Sequence, residues 1–407
     1  MKYHFVSLGC PKNLADTEVM MGSVAAGGNE ITADPAEAEV IVVNTCAFLK
    51  PAREEALKVL REMVAWKKKG HCRKVYIAGC LPQWLKEVGS VSLPAIDGEV
   101  DSIGLFNCAA PRLKATPKWS AYVKIAEGCD NRCSYCLIPT IRGKLRLRKE
   151  EDLLEEVAGL AKRGAKEIIF IAQDTTAHPA LPSILKKAAQ LPGLRWLRVM
   201  YTHPSHLTDE LIKTIAGEKK VVKYLDVPVQ HASSAVLKKM NRRYDRDSLD
   251  LLLSKLRREI PGLVLRTSLI VGFPGETPAD FEELLDFIKT NRFEKLGIFS
   301  YSREVGTPAA SLPNQVPART KEKRRELAME AQRQVSLELN RALVGRKIEV
   351  LVEGKKGRYY VGRTYRDAPE IDGVFYLQSS RKITPGQIVP ALITKASAYD
   401  LYGRQAF

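Results

Sequence analysis

The chain has 407 residues, 45% of them apolar, enough for two or three domains that each bury a core. Its eight cysteines are too few for a disulfide scaffold, and no stretch approaches the ~18 uninterrupted apolar residues of a membrane span. The formal charge of +17 is unevenly placed: residues 1–112 carry 13 Lys/Arg against 13 Asp/Glu, residues 341–407 carry 12 against 6, and the rest of the surplus lies between. Such a surplus suits a polyanionic partner such as RNA or a ribonucleoprotein, or a Lys-rich soluble surface, and charge alone does not separate the two. The opening Met-Lys-Tyr-His-Phe-Val has no long apolar leader, so a reducing cytoplasm is the expected setting. There, spaced cysteines serve as metal ligands or catalytic thiols.

Tyr3–Leu8, Glu39–Thr45 and Lys74–Gly79 are short Val/Ile-rich runs that predict strands. Helical patterns at Asn13–Gly27 and Pro51–Lys69 separate them, so residues 1–112 are expected to form a parallel α/β domain of Rossmann or flavodoxin-like type. A second alternation follows, with strands at Tyr122–Glu127, Glu167–Gln173, Arg195–Tyr201, Lys223–Val229, Leu263–Val271 and Lys295–Tyr301. Helices are expected between them at Glu150–Arg163, Leu207–Gly217, Ser233–Met240, Asp247–Ile260 and Ala279–Asn291. Six β/α repeats predict a partial or complete barrel over residues 113–340, with its site at the strand C-termini. A charged helix without Gly, Pro313 to Leu343, leads to residues 341–407. There, short strands at Lys347–Glu353, Tyr359–Arg363, Gly373–Tyr376 and Ile388–Thr394 predict a small all-β barrel.

Gly128-Cys129-Asp-Asn-Arg-Cys133-Ser-Tyr-Cys136 offers three thiolates in CxxxCxxC spacing within one loop. Three ligands on a four-iron cluster leave one iron open, able to chelate the amino and carboxylate groups of a methionine moiety. The alternative is a zinc knot, which normally closes with a fourth Cys or His, and none follows at such spacing. The loop follows the first barrel strand and so belongs at the barrel mouth. Cys10, Cys46 and Cys80 each stand at the C-terminal end of a predicted strand of the first domain. Parallel strands bring these ends to one edge, which points to a second three-cysteine cluster; three unrelated buried thiols are the alternative. Cys72 and Cys108 sit at no such place and are read as ordinary cysteines.

The cysteine loop, with Tyr135 before its third Cys, resembles the radical S-adenosylmethionine superfamily. Ser-Leu-Gly-Cys10-Pro-Lys-Asn, Asn-Thr-Cys46-Ala-Phe and Gly-Cys80-Leu-Pro resemble the N-terminal domain of the methylthiotransferases, and the chain end resembles their TRAM barrel. Ala-Gln173-Asp174-Thr-Thr, Tyr-Leu-Asp-Val-Pro228-Val-Gln230-His-Ala-Ser and Asp367-Ala-Pro-Glu-Ile-Asp372-Gly are similar to the RimO type. The tRNA-modifying relatives tend to open on Thr-x-Gly-Cys-Gln-Met-Asn, unlike this chain.

The resemblance implies two 4Fe–4S clusters, one on Cys129, Cys133 and Cys136 and an auxiliary one on Cys10, Cys46 and Cys80. It implies S-adenosylmethionine both as radical source and as methyl donor, and an electron donor as partner. The implied reaction is insertion of a methylthio group at the β-carbon of an aspartate of the twelfth small-subunit ribosomal protein, in a ribosomal context. The cofactors would carry the hard chemistry and the protein would position them. An unactivated C–H bond yields to no side-chain base, and a separate sulfur carrier is needed, so two clusters suit the task. A 2-methylthio transferase acting on an N6-modified adenosine of tRNA and a non-enzymatic RNA-binding iron–sulfur carrier are the competing functions, and the basic barrel suits RNA contact in each case.

Tyr135, Gln173 and Asp174 resemble the family's cofactor contacts. Pro228, Gln230, Gly272 and Gly275 close later barrel strands, where they allow close approach to a cofactor or make strand-to-helix turns, with Thr277 capping the helix after the glycines. Arg142 and Arg146, in the basic run to Lys149, are candidate substrate contacts or part of a solvated face. His178, His203, His206 and His231 could serve as ligands, although satisfied or surface histidines are commoner.

Overall fold

In chain order the elements are β1 (Lys2–Ser7), α1 (Pro11–Ala26), β2 (Glu30–Ile31), β3 (Val40–Thr45), α2 (Lys50–Lys69), β4 (Lys74–Gly79), α3 (Cys80–Glu87) and β5 (Gly98–Val100). There follow β6 (Ser120–Lys124), β7 (Ala126–Glu127), α4 (Ile138–Arg142), β8 (Arg146–Leu147), α5 (Glu150–Lys162), β9 (Glu167–Ile171), α6 (Leu181–Gln190), β10 (Trp196–Val199), α7 (Asp209–Gly217) and β11 (Val221–Asp226). The last are α8 (Ser234–Lys239), α9 (Arg246–Glu259), β12 (Val264–Val271), α10 (Pro278–Asn291), β13 (Lys295–Ser300), α11 (Ala318–Arg341), β14 (Lys347–Lys356), β15 (Tyr359–Arg363), β16 (Phe375–Gln378), β17 (Ile388–Ala396) and β18 (Leu401–Gln405). This is a computed structural model, and it describes residues 1–104 and 112–406; Cys108 lies outside the described residues. The chain packs as two units: residues 1–156, 170–178 and 302–311 form the first, and residues 157–169, 179–301 and 312–407 the second.

In the first unit, β3 is buried at all six positions, as a strand covered on both faces must be. It lies inside a parallel sheet of order β2-β1-β3-β4-β5. Ile41, Val43 and Ile77 pack on one face with Leu60 of α2 and Leu81 and Trp84 of α3. Val40, Val42 and Ala78 pack on the other face with Met20 of α1. Each large apolar side chain so buried contributes roughly 1.5–3 kcal/mol. Pro51 sits in the first turn of α2, where its missing N–H costs nothing, and Lys67, Lys68 and Lys69 face the negative end of that helix. Further on, β6 lies beside the Phe170–Ile171 end of β9, with Ile125 N donating to Ile171 O at 3.0 Å. The short antiparallel pair β7 and β8 brackets the CxxxCxxC loop.

The second unit contains a parallel sheet in sequence order, from the start of β9 through β10, β11 and β12 to β13. Local sequence signals start its helices: Thr208, Ser233, Asp245 and Thr277 accept backbone N–H bonds as caps of α7, α8, α9 and α10. The 24-residue α11 packs on α10 and β13. After it, β14-β15-β16-β18-β17 close into a barrel around Val350, Val352, Phe375, Leu377, Ile393 and Leu401. The expected fold class holds, a parallel α/β start, a β/α series and a small all-β barrel. The sequence pattern missed β18, which supplies the closing pairings with β16 and β17.

A buried ion network ties the small barrel to the β/α series within this unit. Glu167 receives Arg198 at 2.8 Å and Arg363 at 2.7 Å, and Lys295 pairs with Asp367 at 2.6 Å. Tyr224 donates to Asp372 at 2.7 Å. The Asp367–Asp372 signature is thus partly accounted for by the fold, since both carboxylates are bound internally.

Candidate functional site

Register brings three cysteines together. Ser7 of β1 pairs with Asn44 of β3, and Asn44 and Thr45 pair with Ala78 and Gly79 of β4, so three strand ends lie level. Cys10 caps the N-terminus of α1, Cys46 follows β3, and Cys80 is the first residue of α3. Gly9 and Gly79 make this convergence sterically feasible. Both have positive φ, 86° and 88°, and a Cβ on Gly9 would stand 2.6 Å from Cys46 Cβ, while one on Gly79 would stand 2.5 Å from Thr45 O. Asn13 ties the ends together, its amide nitrogen donating to Leu8 O at 2.9 Å and Thr45 O at 3.0 Å. By contrast, Cys72 is a buried core thiol that donates to Lys74 O.

The three thiols differ in their electrostatics. Burial, with the neighbouring Cys80 and Cys10 adding to it, pushes Cys46 up to about 11. Burial also raises Cys80, against the pull of Arg142. At Cys10 burial acts upward too, but Lys12 and Arg142 outweigh it and hold the thiol below its ordinary range. A soft cation bound here would deprotonate all three, since thiolate is the ligating form.

The other triplet lies in the loop after β7. Cys129 N donates to Gly143 O at 3.1 Å, Cys136 N to Cys133 O at 3.1 Å, and Leu145 N to Asp130 Oδ1 at 3.0 Å. Asn131 within the loop donates to the buried Asp174 at 2.9 Å, so Asp174 orients the loop. Tyr135 is half-buried between Cys133 and Cys136. Gln173 donates its amide nitrogen to Glu127 at 2.5 Å, and a carboxylate only accepts, so the amide oxygen faces away. That oxygen is buried, and among the described residues no group donates to it.

Residues 302–311 return to this unit late in the sequence. Buried Glu304 pairs with Arg53 at 2.8 Å and accepts from Lys50 N at 2.9 Å. Arg53 also lies over the Trp84 ring at 4.5 Å. Ala309 N donates to Ser134 O at 2.8 Å, so this segment buttresses the cysteine loop.

Between the triplets sits a pocket of charge that the sequence did not foretell. Arg142 ends α4 and is buried. Its Nε donates to Cys80 Sγ at 3.2 Å, and its Nη1 to Asp16 at 3.0 Å and Glu127 at 3.1 Å. Its Nη2 donates to Asn13 Oδ1. Lys124 pairs with the same two carboxylates, at 2.6 Å from Glu127. Burial penalises the Glu127 carboxylate, but Lys124 and Arg142 prevail and hold it well below the usual range. Arg142 thus contacts carboxylates of this chain itself, whereas Arg146 is exposed, as a solvated position would be. Gly143, at φ 77°, turns the chain immediately after Arg142.

Apart from His178, the remaining expected residues lie in the second unit. Gln230 adopts a positive φ of 71° and bridges to β12 through Ser268 O and Ile270 N, while Pro228 O accepts from Arg242. Gly272 N donates to Glu276, and Gly275 O accepts from Lys239 at 2.9 Å. Thr277 and Asp280 form a capping box on α10, so this segment has the turn chemistry expected of a strand-to-helix junction. His178 faces Arg148 O at 2.9 Å in the first unit, and His231 is buried beside Glu276 in the second.

Comparison with known proteins agrees with this construction. Residues 123–288 match the Radical SAM superfamily, residues 2–100 the uncharacterized protein family UPF0004, and residues 344–405 the TRAM domain. The chain is 45% identical to the ribosomal protein uS12 methylthiotransferase RimO of Pelotomaculum thermopropionicum, covering 99% of both chains. It is 44% identical to that of Syntrophus aciditrophicus, over 98% of this chain and 97% of the relative. In fold it is similar to the radical S-adenosylmethionine methyltransferase TsrM from Kitasatospora setae, with a TM-score of 0.56, 14% identity and coverage of 76% of this chain and 73% of that one. With level cysteines at three strand ends, a CxxxCxxC loop and full-length relatedness of this degree, the chain belongs to the RimO family of ribosomal protein uS12 methylthiotransferases, radical S-adenosylmethionine enzymes.

Proposed function

We propose that this enzyme places a methylthio group on the β-carbon of an aspartate of ribosomal protein uS12, using two 4Fe–4S clusters and S-adenosylmethionine. Identity of 45% over the whole length of a uS12 methylthiotransferase carries the choice of substrate. Cys129, Cys133 and Cys136 would hold the first cluster, and Cys10, Cys46 and Cys80 the second. When bound, these groups supply the electron that cleaves S-adenosylmethionine to a carbon radical, and the sulfur to be inserted. The donor set fits, because each triplet offers three thiolates and leaves one iron position for an exchangeable ligand. The buried Gln173 oxygen is suited to accept from the amino group of a methionine moiety, and Asp174 fixes the loop through Asn131. Tyr135 lies within that loop and is a candidate adenine contact; Pro228, Gln230, Gly272 and Gly275, in the second unit, are also candidate cofactor-binding residues. Arg146 is exposed and able to meet the substrate carboxylate; Arg142 is buried and committed elsewhere.

The small barrel supports a contact with ribosomal RNA around the protein substrate. Tyr376 and Tyr402 stack at 5.0 Å, with Lys395 over Tyr402 and Arg358 over Tyr359. Beside them a cleft of about 710 Å3 is lined by Lys347, Arg358 and Arg404. Stacking faces among cations are what single-stranded nucleic acid binds. Among the described residues no helix is long and apolar enough to cross a membrane.

The test is anaerobic reaction of reconstituted enzyme, S-adenosylmethionine and reductant with ribosomes, followed by mass spectrometry. A methylthio adduct on one aspartate of uS12 is expected. An adduct on tRNA in its place overturns the substrate, and failure to form 5′-deoxyadenosine overturns the radical chemistry.

A further inference from the structure

We propose that Arg142 is a positioning residue that hydrogen-bonds the sulfur of Cys80 and sets the reduction potential of the auxiliary cluster, an inference that rests on Cys10, Cys46 and Cys80 holding iron as proposed above. Three observations carry it. The Nε–H stands 3.2 Å from Cys80 Sγ, within range of an N–H···S bond. The rest of the guanidinium is pinned by Asp16, Glu127 and Asn13, so the group cannot swing away. The Arg142 side chain is only 2% exposed, which leaves its field on the sulfur unscreened by water.

Hydrogen bonds to cluster sulfurs and nearby net charge set iron–sulfur potentials over a wide range. Asp16 and Glu127 balance Lys124 and Arg142 in charge, Lys12 acts on Cys10, and the member of this network in contact with a cysteine sulfur is the Arg142 guanidinium. That guanidinium stabilises the more negative, reduced state and draws the potential upward. Arg142 also ends the short helix that follows the other cysteine loop, and Cys129 N donates a hydrogen bond to the carbonyl of the next residue, Gly143, at 3.1 Å. Arg142 therefore stands next to a residue bonded to one triplet's loop, while its head group lies on a sulfur of the other triplet. Lysine would keep the charge, but an ammonium cannot serve a sulfur, two carboxylates and an amide at the same time as a planar fork does.

The experiment uses the full chain with Cys129, Cys133 and Cys136 all replaced by Ala, so that only one triplet can bind a cluster. Anaerobic reconstitution, iron assay and an EPR-monitored redox titration are compared for Arg142, Arg142→Lys and Arg142→Gln. The expected result is equal iron content, a clear shift to lower potential in Arg142→Gln and a smaller shift in the same direction in Arg142→Lys. An unchanged potential at full iron content overturns the proposal. Loss of iron in Arg142→Gln, with Arg142→Lys keeping both iron and the original potential, also overturns it, because Arg142 would then be only a brace. If the Gln variant fails to fold, the Lys variant decides by the presence or absence of its shift. Absence of iron in the parent with Arg142 intact refutes the ligand set itself, a failure distinct from the others.

Discussion

Each unit buries a network of charges, and the two networks end differently. In the second unit Glu167 binds Arg198 and Arg363, Arg363 also pairs with Glu353, and these bonds join the β/α series to the small barrel. In the first, Asp16, Glu127, Lys124 and Arg142 end on a sulfur, Cys80, and on Gln173, whose oxygen has no donor among the described residues. The difference separates charge buried to fasten two pieces of chain from charge buried to face a ligand. The first kind should register in stability, the second in cofactor properties.

The largest effect is expected where the fastening network is cut. Glu167→Ala leaves the buried Arg198 guanidinium without its carboxylate and Arg363 with Glu353 alone, and should cost about 3–5 kcal/mol in chemical denaturation, with iron content of the folded fraction unchanged. A fall in iron equal to the fall in stability would erase the contrast between the networks. Acid sharpens it further. Burial raises the Glu167 carboxyl, but Arg363 and Arg198 overcome this and hold it at about 2, against 4.5 when unfolded. A depressed carboxyl stabilises the fold fully above its unfolded value and loses that contribution as pH falls from about 5 towards 2. Wild type should therefore lose roughly 3 kcal/mol more than Glu167→Gln over that range, and parallel stability profiles would refute it. The smallest effect falls at the ligand-facing network: Asn13→Ala removes two hydrogen bonds between strand ends and the acceptor of Arg142 Nη2, for about 1–3 kcal/mol. Its sharper readout is faster iron loss to a chelator from the Cys10, Cys46 and Cys80 site, and unaltered loss would remove Asn13 from the site.

The cysteines were legible because each ends a strand or follows one, and strands announce themselves by Val/Ile runs that stop at Gly, Asn or Thr. Gly9 and Gly79 stood beside their cysteines in plain view, and the register of three parallel strands did the rest. Arg142 was not legible. It opens a run of basic residues whose usual fate is solvent, and only the fold of α4 turns this one side chain inward while Arg146 stays out. The Asp16 and Lys124 contacts likewise join residues far apart in sequence. The strand β18 escaped because Leu-Tyr-Gly-Arg-Gln has too little apolar alternation to stand out, and its identity comes from pairing with β16 and β17. At Gly272 and Gly275 the turn chemistry that the sequence offered is what the chain adopts.

The buttress formed by residues 302–311 has a consequence for the order in which this protein matures. All six cysteines of the two triplets have been synthesised by residue 136, yet Glu304 and Ala309, which brace Arg53 and Ser134, emerge much later. A nascent chain therefore displays its thiols before the wall behind them exists. A chain cut before residue 302 would keep each of the six thiols while lacking the Glu304 and Ala309 contacts that buttress Arg53 and the CxxxCxxC loop.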